Sequence, residues 1–228
     1  MAEHPFFDTI PAAIEAFARG DFILVLDSPS RENEGDLIIA ASAITPAKMS
    51  FLIRYTSGYI CAPLPASLAA HLQLPQMVAH NADPNRTAYT ITVDAAEGGT
   101  TGISAEDRSR TCNLLADPTT TADRLRRPGH VVPLQARDGG VRVRPGHTEA
   151  AVDFCKLAGL SPVGVIAEMV EDGTAQEGVA ELRGGGMMRR DGCLAFAKRW
   201  GLKCVTIEDL VRYMDQEEGQ EGVLDSVH

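Results

Sequence analysis

The sequence predicts a single α/β (α+β) domain in which helices flank a mixed β-sheet. Three observations support this prediction. The length of 228 residues suits one domain. Short apolar runs typical of strands alternate with segments of helical spacing along most of the chain. We find no internal repeat and no linker-like stretch, so residues 1–228 are expected to form one unit, with a core at about 10–214 and a flexible acidic tail at 215–228.

Short runs rich in Val, Ile and Leu, bounded by polar residues or glycine, predict the strands. In chain order these runs are residues 22–26, 37–41, 59–62, 89–94, 162–168 and 203–206. A charged loop joins the first two, which we expect to be neighbours in the core. The Ile and Val residues of 89–94 alternate strictly, which indicates a strand buried on one face.

Apolar spacing and capping residues predict the helices. Pro46 occupies a first helical position, which indicates a helix over residues 46–55. Ser104, followed by Glu106 and Asp107, is typical of a helix start. Further helices are predicted, in order, at residues 148–160, 193–200 and 207–214. The glycine-rich residues 171–192 predict a mobile surface excursion.

Composition excludes several classes of protein. Acidic residues exceed basic ones by 31 − 21 = 10, so we expect no general binding of nucleic acid or of anionic membranes. No apolar stretch approaches the ~20 residues that a membrane-spanning helix needs, and the first residues lack a signal-peptide core. The five cysteines are odd in number and lack CxxC spacing, which favours a reducing, cytoplasmic location.

An acidic loop between the first two predicted strands contains candidate metal ligands. In an extended chain, residues two apart point the same way, so Glu32, Glu34 and Asp36 are expected to converge on one face. Carboxylate oxygens of this kind suit Mg²⁺ or Mn²⁺. The alternative is a solvated acidic loop without a ligand. The position of these acids at strand ends, where α/β active sites gather, favours the functional interpretation.

A second candidate site precedes the helix predicted at residues 148–160. Arg144 offers a guanidinium fork for phosphate, Gly146 permits close backbone approach, and Thr148 adds a hydroxyl. The helix N-terminus supplies unpaired N–H groups and a positive dipole end. His147 could complete an oxygen-rich metal site. The alternative is that Thr148 only caps the helix and that His147 is an incidental surface residue.

Three further residues have both a functional and a structural interpretation. His130 follows a Pro-Gly pair at the expected entrance to a strand, in a stretch whose basic residues are all arginine, which suits a phosphorylated small molecule. Glu168 ends an apolar run and is expected to be a partly buried acid or base, or else a strand-end carboxylate facing water. Cys61 is most simply a buried small apolar residue.

Five motifs in order resemble those of the 3,4-dihydroxy-2-butanone 4-phosphate synthase family of riboflavin biosynthesis. They are RENEGDL at 31–37, SGYIC at 57–61, TTGISAEDR at 100–108, RPGHV at 127–131 and GHTEA at 146–150. The resemblance extends from about residue 22 to about residue 213. The long 171–192 segment resembles fungal members, and the chain stops near the end of the synthase domain. A fused GTP cyclohydrolase II activity is therefore not expected.

The resemblance implies a lyase that converts D-ribulose 5-phosphate into 3,4-dihydroxy-2-butanone 4-phosphate and formate. It implies Mg²⁺, with Mn²⁺ as its substitute, and a homodimer with active sites near the subunit interface. Carried over residue by residue, it assigns the metal to Glu32 and His147 and proton transfers to His130 and Glu168. It assigns contacts with the sugar to Arg31, Asp36 and Thr87, and contacts with the phosphate to Arg144, Gly146 and Thr148.

Two other functions are weighed beside this one. A different metal-dependent sugar-phosphate enzyme, such as an isomerase or aldolase, would consume the substrate without releasing formate. A binding module that senses sugar phosphates would need a broken site, yet competent residues fill each motif position. We rank the synthase first and the binding module last.

Overall fold

A seven-stranded mixed sheet forms the centre of the protein, in a computed structural model that describes residues 6–225 and their side chains through Glu218. Its strands in spatial order are β11 (Lys203–Thr206), β1 (Ile23–Leu26), β2 (Gly35–Ala40), β6 (Gly164–Glu168), β3 (Cys61–Pro65), β5 (Leu125–Ala136) and β4 (Val93–Ala95). The β1–β11 and β3–β5 pairs are parallel and the other pairs are antiparallel. The predicted mixed sheet is confirmed.

Seven α-helices lie around the sheet in the described part of the chain. They are α1 (Ile10–Ala18), α2 (Pro46–Tyr55), α3 (Ala66–His71), α4 (Ala105–Ala116), α5 (His147–Leu157), α6 (Arg190–Trp200) and α7 (Ile207–Asp225). The helices predicted after Ser104 and at 46–55 are confirmed, and Ser104 Oγ accepts the Asp107 amide N–H at 3.0 Å. None of these helices is long and apolar enough to cross a membrane.

The alternation of side chains along the strands divides the core between the two faces of the sheet. Leu24 and Leu37 point to the face that α2, α4 and α6 cover. Ile23 and Ile38 point to the opposite face, with α1, α5 and α7. Helix α5 is buried over its first nine residues, from His147 to Cys155. This burial fixes the start of α5 against the end of strand β1.

A small excursion follows β6. Its four short strands are β7 (Val170–Glu171), β8 (Thr174–Gln176), β9 (Val179–Arg183) and β10 (Gly186–Met187). They pair as β7–β10 and β8–β9, outside the main sheet, and both β8 and β9 are exposed throughout. The predicted surface excursion is thus present, and its mobility stays a prediction.

Three predicted elements differ in the structure. Tyr89 and Thr90 form only isolated bridges, because Thr90 pairs with Gln76 and donates to the Pro133 carbonyl, so the regular strand begins at Val93. His130 lies inside β5 and not at its entrance. The last helix continues past residue 214 to Asp225, and residues 226–228 lie outside the described residues. The mobility expected of residues 215–228 stays a prediction.

Candidate active site

Residues from three neighbouring strands meet at one end of the sheet, where β1 and β6 end and β2 begins. Val25 on β1 pairs with Asp36 on β2, and Asp36 pairs with Glu168 on β6. Asp36 and Glu168 continue the Ile38 and Ile166 positions of the α5 face, so both side chains lie on that face. The loop between β1 and β2 meets the start of α5 at the same end of the sheet. This convergence defines the candidate active site.

The carboxylate of Asp27 organises the β1–β2 loop. It accepts the amide N–H groups of Glu32 at 3.0 Å and Glu34 at 2.8 Å, and the Arg31 guanidinium at 2.9 Å. Asn33 adopts a left-handed conformation with φ of 55°, so the loop turns and is not extended. The extended-chain argument for Glu32, Glu34 and Asp36 therefore does not describe this loop.

His147, the first residue of α5, stands between the loop and strand β2. Its Nε2 lies 3.1 Å from the main-chain oxygen of Val25, while its Nδ1 lies 3.8 Å from Glu32 Oε2 and 3.6 Å from Asp36 Oδ1. The carbonyl of Val25 requires a proton on Nε2, which leaves the Nδ1 lone pair directed at the two carboxylates. Burial lowers the pKa of His147 to about 4, so the ring is neutral at pH 7.

The Asp36 carboxylate is buried beside this ring. Its Oδ1 has no hydrogen-bond partner among the described residues. Burial raises the pKa of Asp36 well above its usual range, and the carboxylate of Glu168 raises it further. A buried carboxylate without a partner is costly unless it faces a proton or a cation.

The donor set of this cluster fits a divalent cation. A neutral imidazole nitrogen and the carboxylate of Glu32 face one another, with Asp36 behind them. Among the side chains that the structure describes, no three His, Cys, Asp or Glu residues converge as a complete metal cage. Two protein ligands, with the remaining positions left to water and substrate oxygens, match the way Mg²⁺ is usually held.

The start of α5 adjoins an anion cradle. Gly146 is the N-cap residue, and within the described chain no side chain caps this helix, so its first N–H groups are available. A Cβ placed on Gly146 would lie 2.5 Å from Arg144 Nη1 and 3.0 Å from Arg31 Nη2. Both guanidinium groups therefore lie close to the α-carbon of Gly146. Thr148 lies in the first turn and is not the cap residue.

Three groups hold the guanidinium of Arg144. It donates to Glu149 Oε2 at 2.6 Å, to the main-chain oxygen of Asn85 at 3.2 Å and to Thr87 Oγ1 at 3.1 Å. Glu149 is 1% exposed and also accepts the Arg137 amide N–H. Because a guanidinium has five N–H groups, two remain for a phosphate. Thr87, expected to contact the sugar, contacts Arg144 in the structure.

Glu168 and His130 have separate partners. Ser57 Oγ donates to Glu168 Oε2 at 2.7 Å. Asp94 accepts the His130 amide N–H at 2.8 Å, and its Oδ2 lies 2.8 Å from His130 Nδ1. The His130 imidazole is 40% exposed, which leaves Nε2 available.

Four residues near the site were absent from the sequence-based candidates. Asp27 shapes the loop, Asp94 holds His130, Glu149 holds Arg144, and Asn85 donates to Glu32 Oε1 at 2.6 Å. The pairing of Glu149 with Arg144 could have been predicted, because Glu149 lies five residues after Arg144 in the first turn of the predicted helix. The contact of Asn85 could not, because its loop meets Glu32 only through the tertiary fold.

The cation-binding donor set and the anion cradle, joined by His147 and Gly146, are typical of enzymes that act on phosphorylated small molecules with a divalent cation. The sequence profile of the 3,4-dihydroxy-2-butanone 4-phosphate synthase family matches residues 11–213, and the chain belongs to that family.

Proteins with this family's name resemble the chain over nearly its whole length. A 3,4-dihydroxy-2-butanone 4-phosphate synthase of Pyricularia oryzae is 55% identical over 215 residues, covering 94% of this chain and 92% of the relative. That of Saccharomyces cerevisiae is 48% identical and covers 91% of this chain and 99% of the relative. A crystal structure of such a synthase in complex with two magnesium ions has a TM-score of 0.92 and 56% identity, covering 93% of this chain and 99% of that chain. The expected family resemblance, including its fungal character, is confirmed.

Proposed function

We propose that this chain converts D-ribulose 5-phosphate into 3,4-dihydroxy-2-butanone 4-phosphate and formate, with a divalent cation between Glu32 and His147. The reaction is a lyase step that supplies the four-carbon unit of riboflavin. The observation that supports it best is the orientation of His147. Its Nδ1 faces Glu32 and Asp36, while the next helix residues form the anion cradle.

Different residues of the site bind different parts of the substrate. Arg144, Gly146 and Thr148 hold the phosphate at the start of α5, and Arg31 lies over the same glycine. This end of the substrate does not react, so its binding contributes orientation. The sugar oxygens then reach the Glu32 and His147 pair and the buried Asp36. When bound there, Mg²⁺ or Mn²⁺ polarises carbonyl and hydroxyl oxygens as a Lewis acid.

Proton transfers are assigned to Glu168 and His130. The reaction needs enolisation, loss of the C1 hydroxyl, a skeletal shift, hydration of a carbonyl and release of C4 as formate, so that one water leaves and one enters. Each positioned acid or base typically contributes about 10²–10⁴-fold. Ser57 orients the Glu168 carboxylate, and Asp94 holds His130 so that Nε2 is presented.

Formate release measured by NMR tests the function. Purified protein with ribulose 5-phosphate and Mg²⁺ should release one formate per substrate, and chelation by EDTA should stop the release. Glu32→Gln should reduce the rate at least a thousandfold while the thermal unfolding midpoint stays close to that of the wild type. Glu15→Gln, an exposed carboxylate on helix α1, is the matched control, and we expect it to keep most of the activity.

The other outcomes separate the competing functions. Consumption of substrate without formate would support an isomerase or aldolase. No turnover, together with a thermal shift on adding ribulose 5-phosphate, would support a binding module. Full activity of Glu32→Gln would contradict the assignment of the metal.

A homodimer and a cytoplasmic location complete the proposal. Family resemblance implies active sites near a subunit interface, and the exposed ring of His130 at the β4–β5 side of the sheet suits such a site. Light scattering should give twice the mass of the chain. A mixture of His130→Gln and Glu32→Gln chains should regain activity if each subunit contributes one residue to a shared site. The five buried free thiols suit a reducing cytoplasm, which fractionation of cells would test.

A further inference from the structure

We propose that Asn85 is a positioning residue that orients the carboxylate of Glu32 for the metal and connects it with the phosphate cradle. The inference rests on the proposed function, because it takes Glu32 as a metal ligand. The side-chain Nδ2 of Asn85 donates to Glu32 Oε1 at 2.6 Å. The main-chain oxygen of the same residue accepts from Arg144 Nε at 3.2 Å. One residue thus contacts both halves of the site.

The two oxygens of Glu32 have different environments. Oε2 is contacted by the Arg31 guanidinium and lies 3.8 Å from His147 Nδ1. Oε1 is held by the amide of Asn85. A fixed partner on Oε1 restricts rotation of the carboxylate and keeps Oε2 directed at His147. Partners of this kind around metal ligands set ligand orientation and affinity.

An asparagine at position 85 suits the positioning of the Glu32 carboxylate. Arg31 already pairs with Glu32 Oε2, and the neutral amide of Asn85 holds Oε1 without adding a second positive charge against a cation. A lysine at this position would compete with a divalent cation for Glu32. A carboxylate would repel Glu32. Asparagine orients the ligand and leaves its charge unchanged.

The loop that carries Asn85 is itself ordered by its own side chains. Asn81 Oδ1 accepts the Asp83 amide N–H, and Asp83 Oδ2 accepts the Thr87 amide N–H, both at 2.8 Å. Asn81 Nδ2 donates to the Thr87 carbonyl at 2.8 Å. Arg86 has φ of 54°, which completes the turn. Asn85 therefore extends from a braced turn toward Glu32.

Binding of Mn²⁺ alone, measured by the electron paramagnetic resonance of the free ion, tests the inference without turnover. Asn85→Ala should weaken Mn²⁺ binding by about 10–100-fold, the usual effect of losing such a partner. The affinity for inorganic phosphate should stay within about twofold, because the main-chain oxygen at position 85 still meets Arg144. Asn81→Ala is the matched control, since it loosens the same turn without touching Glu32, and should keep Mn²⁺ affinity within a few fold.

Distinct outcomes identify which claim fails. Unchanged Mn²⁺ affinity in Asn85→Ala overturns the inference. Equal losses in Asn81→Ala and Asn85→Ala also overturn it, because order of the turn would then explain both. Equal Mn²⁺ binding by the wild type and Glu32→Gln contradicts the proposed metal site itself. Asn85→Ser replaces the alanine variant if thermal unfolding shows that the latter does not fold.

Discussion

Nε2 of His147 lies 3.1 Å from the main-chain oxygen of Val25, the residue that pairs with Asp36 in the next strand. This hydrogen bond sets both the tautomer and the direction of the imidazole. The first residue of α5 is thereby fixed to the end of β1, and Nδ1 faces the carboxylates of Glu32 and Asp36. The metal assignment depends on this relationship.

Replacing His147 should remove metal binding and leave the fold intact. His147→Asn removes the Nδ1 lone pair, so we expect Mn²⁺ affinity to fall at least about a hundredfold and formate release to become undetectable. Circular dichroism should change little, because Asn at this first helical position keeps a side-chain N–H group that can donate to the Val25 carbonyl. His80→Asn, at an exposed position, is the matched control and should behave as the wild type. Normal turnover by His147→Asn would refute the role of this ring.

The Asp36 side chain is predicted to lower the free energy of unfolding although the activity requires it. Its Oδ1 is buried without a partner, so Asp36→Asn should raise the free energy of unfolding of the metal-free protein by roughly 0.5–2 kcal/mol, the usual size of a single stabilising substitution. Activity should fall sharply in the same variant. Chemical denaturation in EDTA measures the first effect.

A second buried aspartate provides the control for this experiment. Asp153 accepts the Val141 amide N–H at 2.8 Å and the Lys156 ammonium at 3.3 Å. Because these bonds satisfy it, Asp153→Asn should destabilise the protein by about 1–3 kcal/mol. Destabilisation by both substitutions would show that Asp36 is an ordinary structural carboxylate.

The contrast between Asp36 and Asp153 shows which features could be predicted from the sequence and which could not. The strands, α2, α4 and the start of α5 follow from apolar runs and caps that are local in the chain. Helix α1 was missed although its signals are local: Thr9 caps it, Pro11 stands in its first turn, and its buried residues Ile10, Ala13, Ala16 and Phe17 recur at helical spacing. Burial of Asp36 without a partner depends on strand register and on the seating of α5, which no local pattern contains.

Gly146→Ala should weaken substrate binding more than it slows the chemistry. The backbone there is extended, with φ of −119°, so alanine folds without strain, but its methyl would lie 2.5 Å from Arg144 Nη1. We expect KM for ribulose 5-phosphate to rise about 10–100-fold, as for misplaced positioning groups, with a smaller change in kcat. Gly186→Ala is the control, because a Cβ there meets no atom within 4 Å. An unchanged KM would argue against phosphate at this position.

Asp107 should make the protein sensitive to acid. The Thr100 hydroxyl and amide N–H, together with the Gly102 amide, hold the pKa of Asp107 well below its ordinary value of 3.8. A lowered pKa adds stability above the ordinary value, and this stability is lost as pH falls through the folded-state value. The difference in unfolding free energy between wild type and Asp107→Asn should thus be constant above about pH 5 and shrink below about pH 4.

This prediction also concerns His130, to which we assign a proton transfer, since a Cβ on Gly102 would lie 2.7 Å from His130 Nδ1. The loop that Asp107 holds therefore packs closely against His130. Denaturant titrations at several pH values measure the effect, with Asp138→Asn, an exposed aspartate, as the control. A wild-type to Asp107→Asn difference that does not vary with pH would show that Asp107 has no lowered pKa.

The most direct test of the central claim follows one carbon atom. The proposed rearrangement releases C4 of ribulose 5-phosphate, held by its phosphate at Gly146 and by its oxygens near Glu32 and His147. With substrate labelled by ¹³C at C4 and with Mg²⁺ present, NMR should show the label entirely in formate and none in the four-carbon phosphate. Label retained in the phosphorylated product, or turnover without formate, would contradict the account.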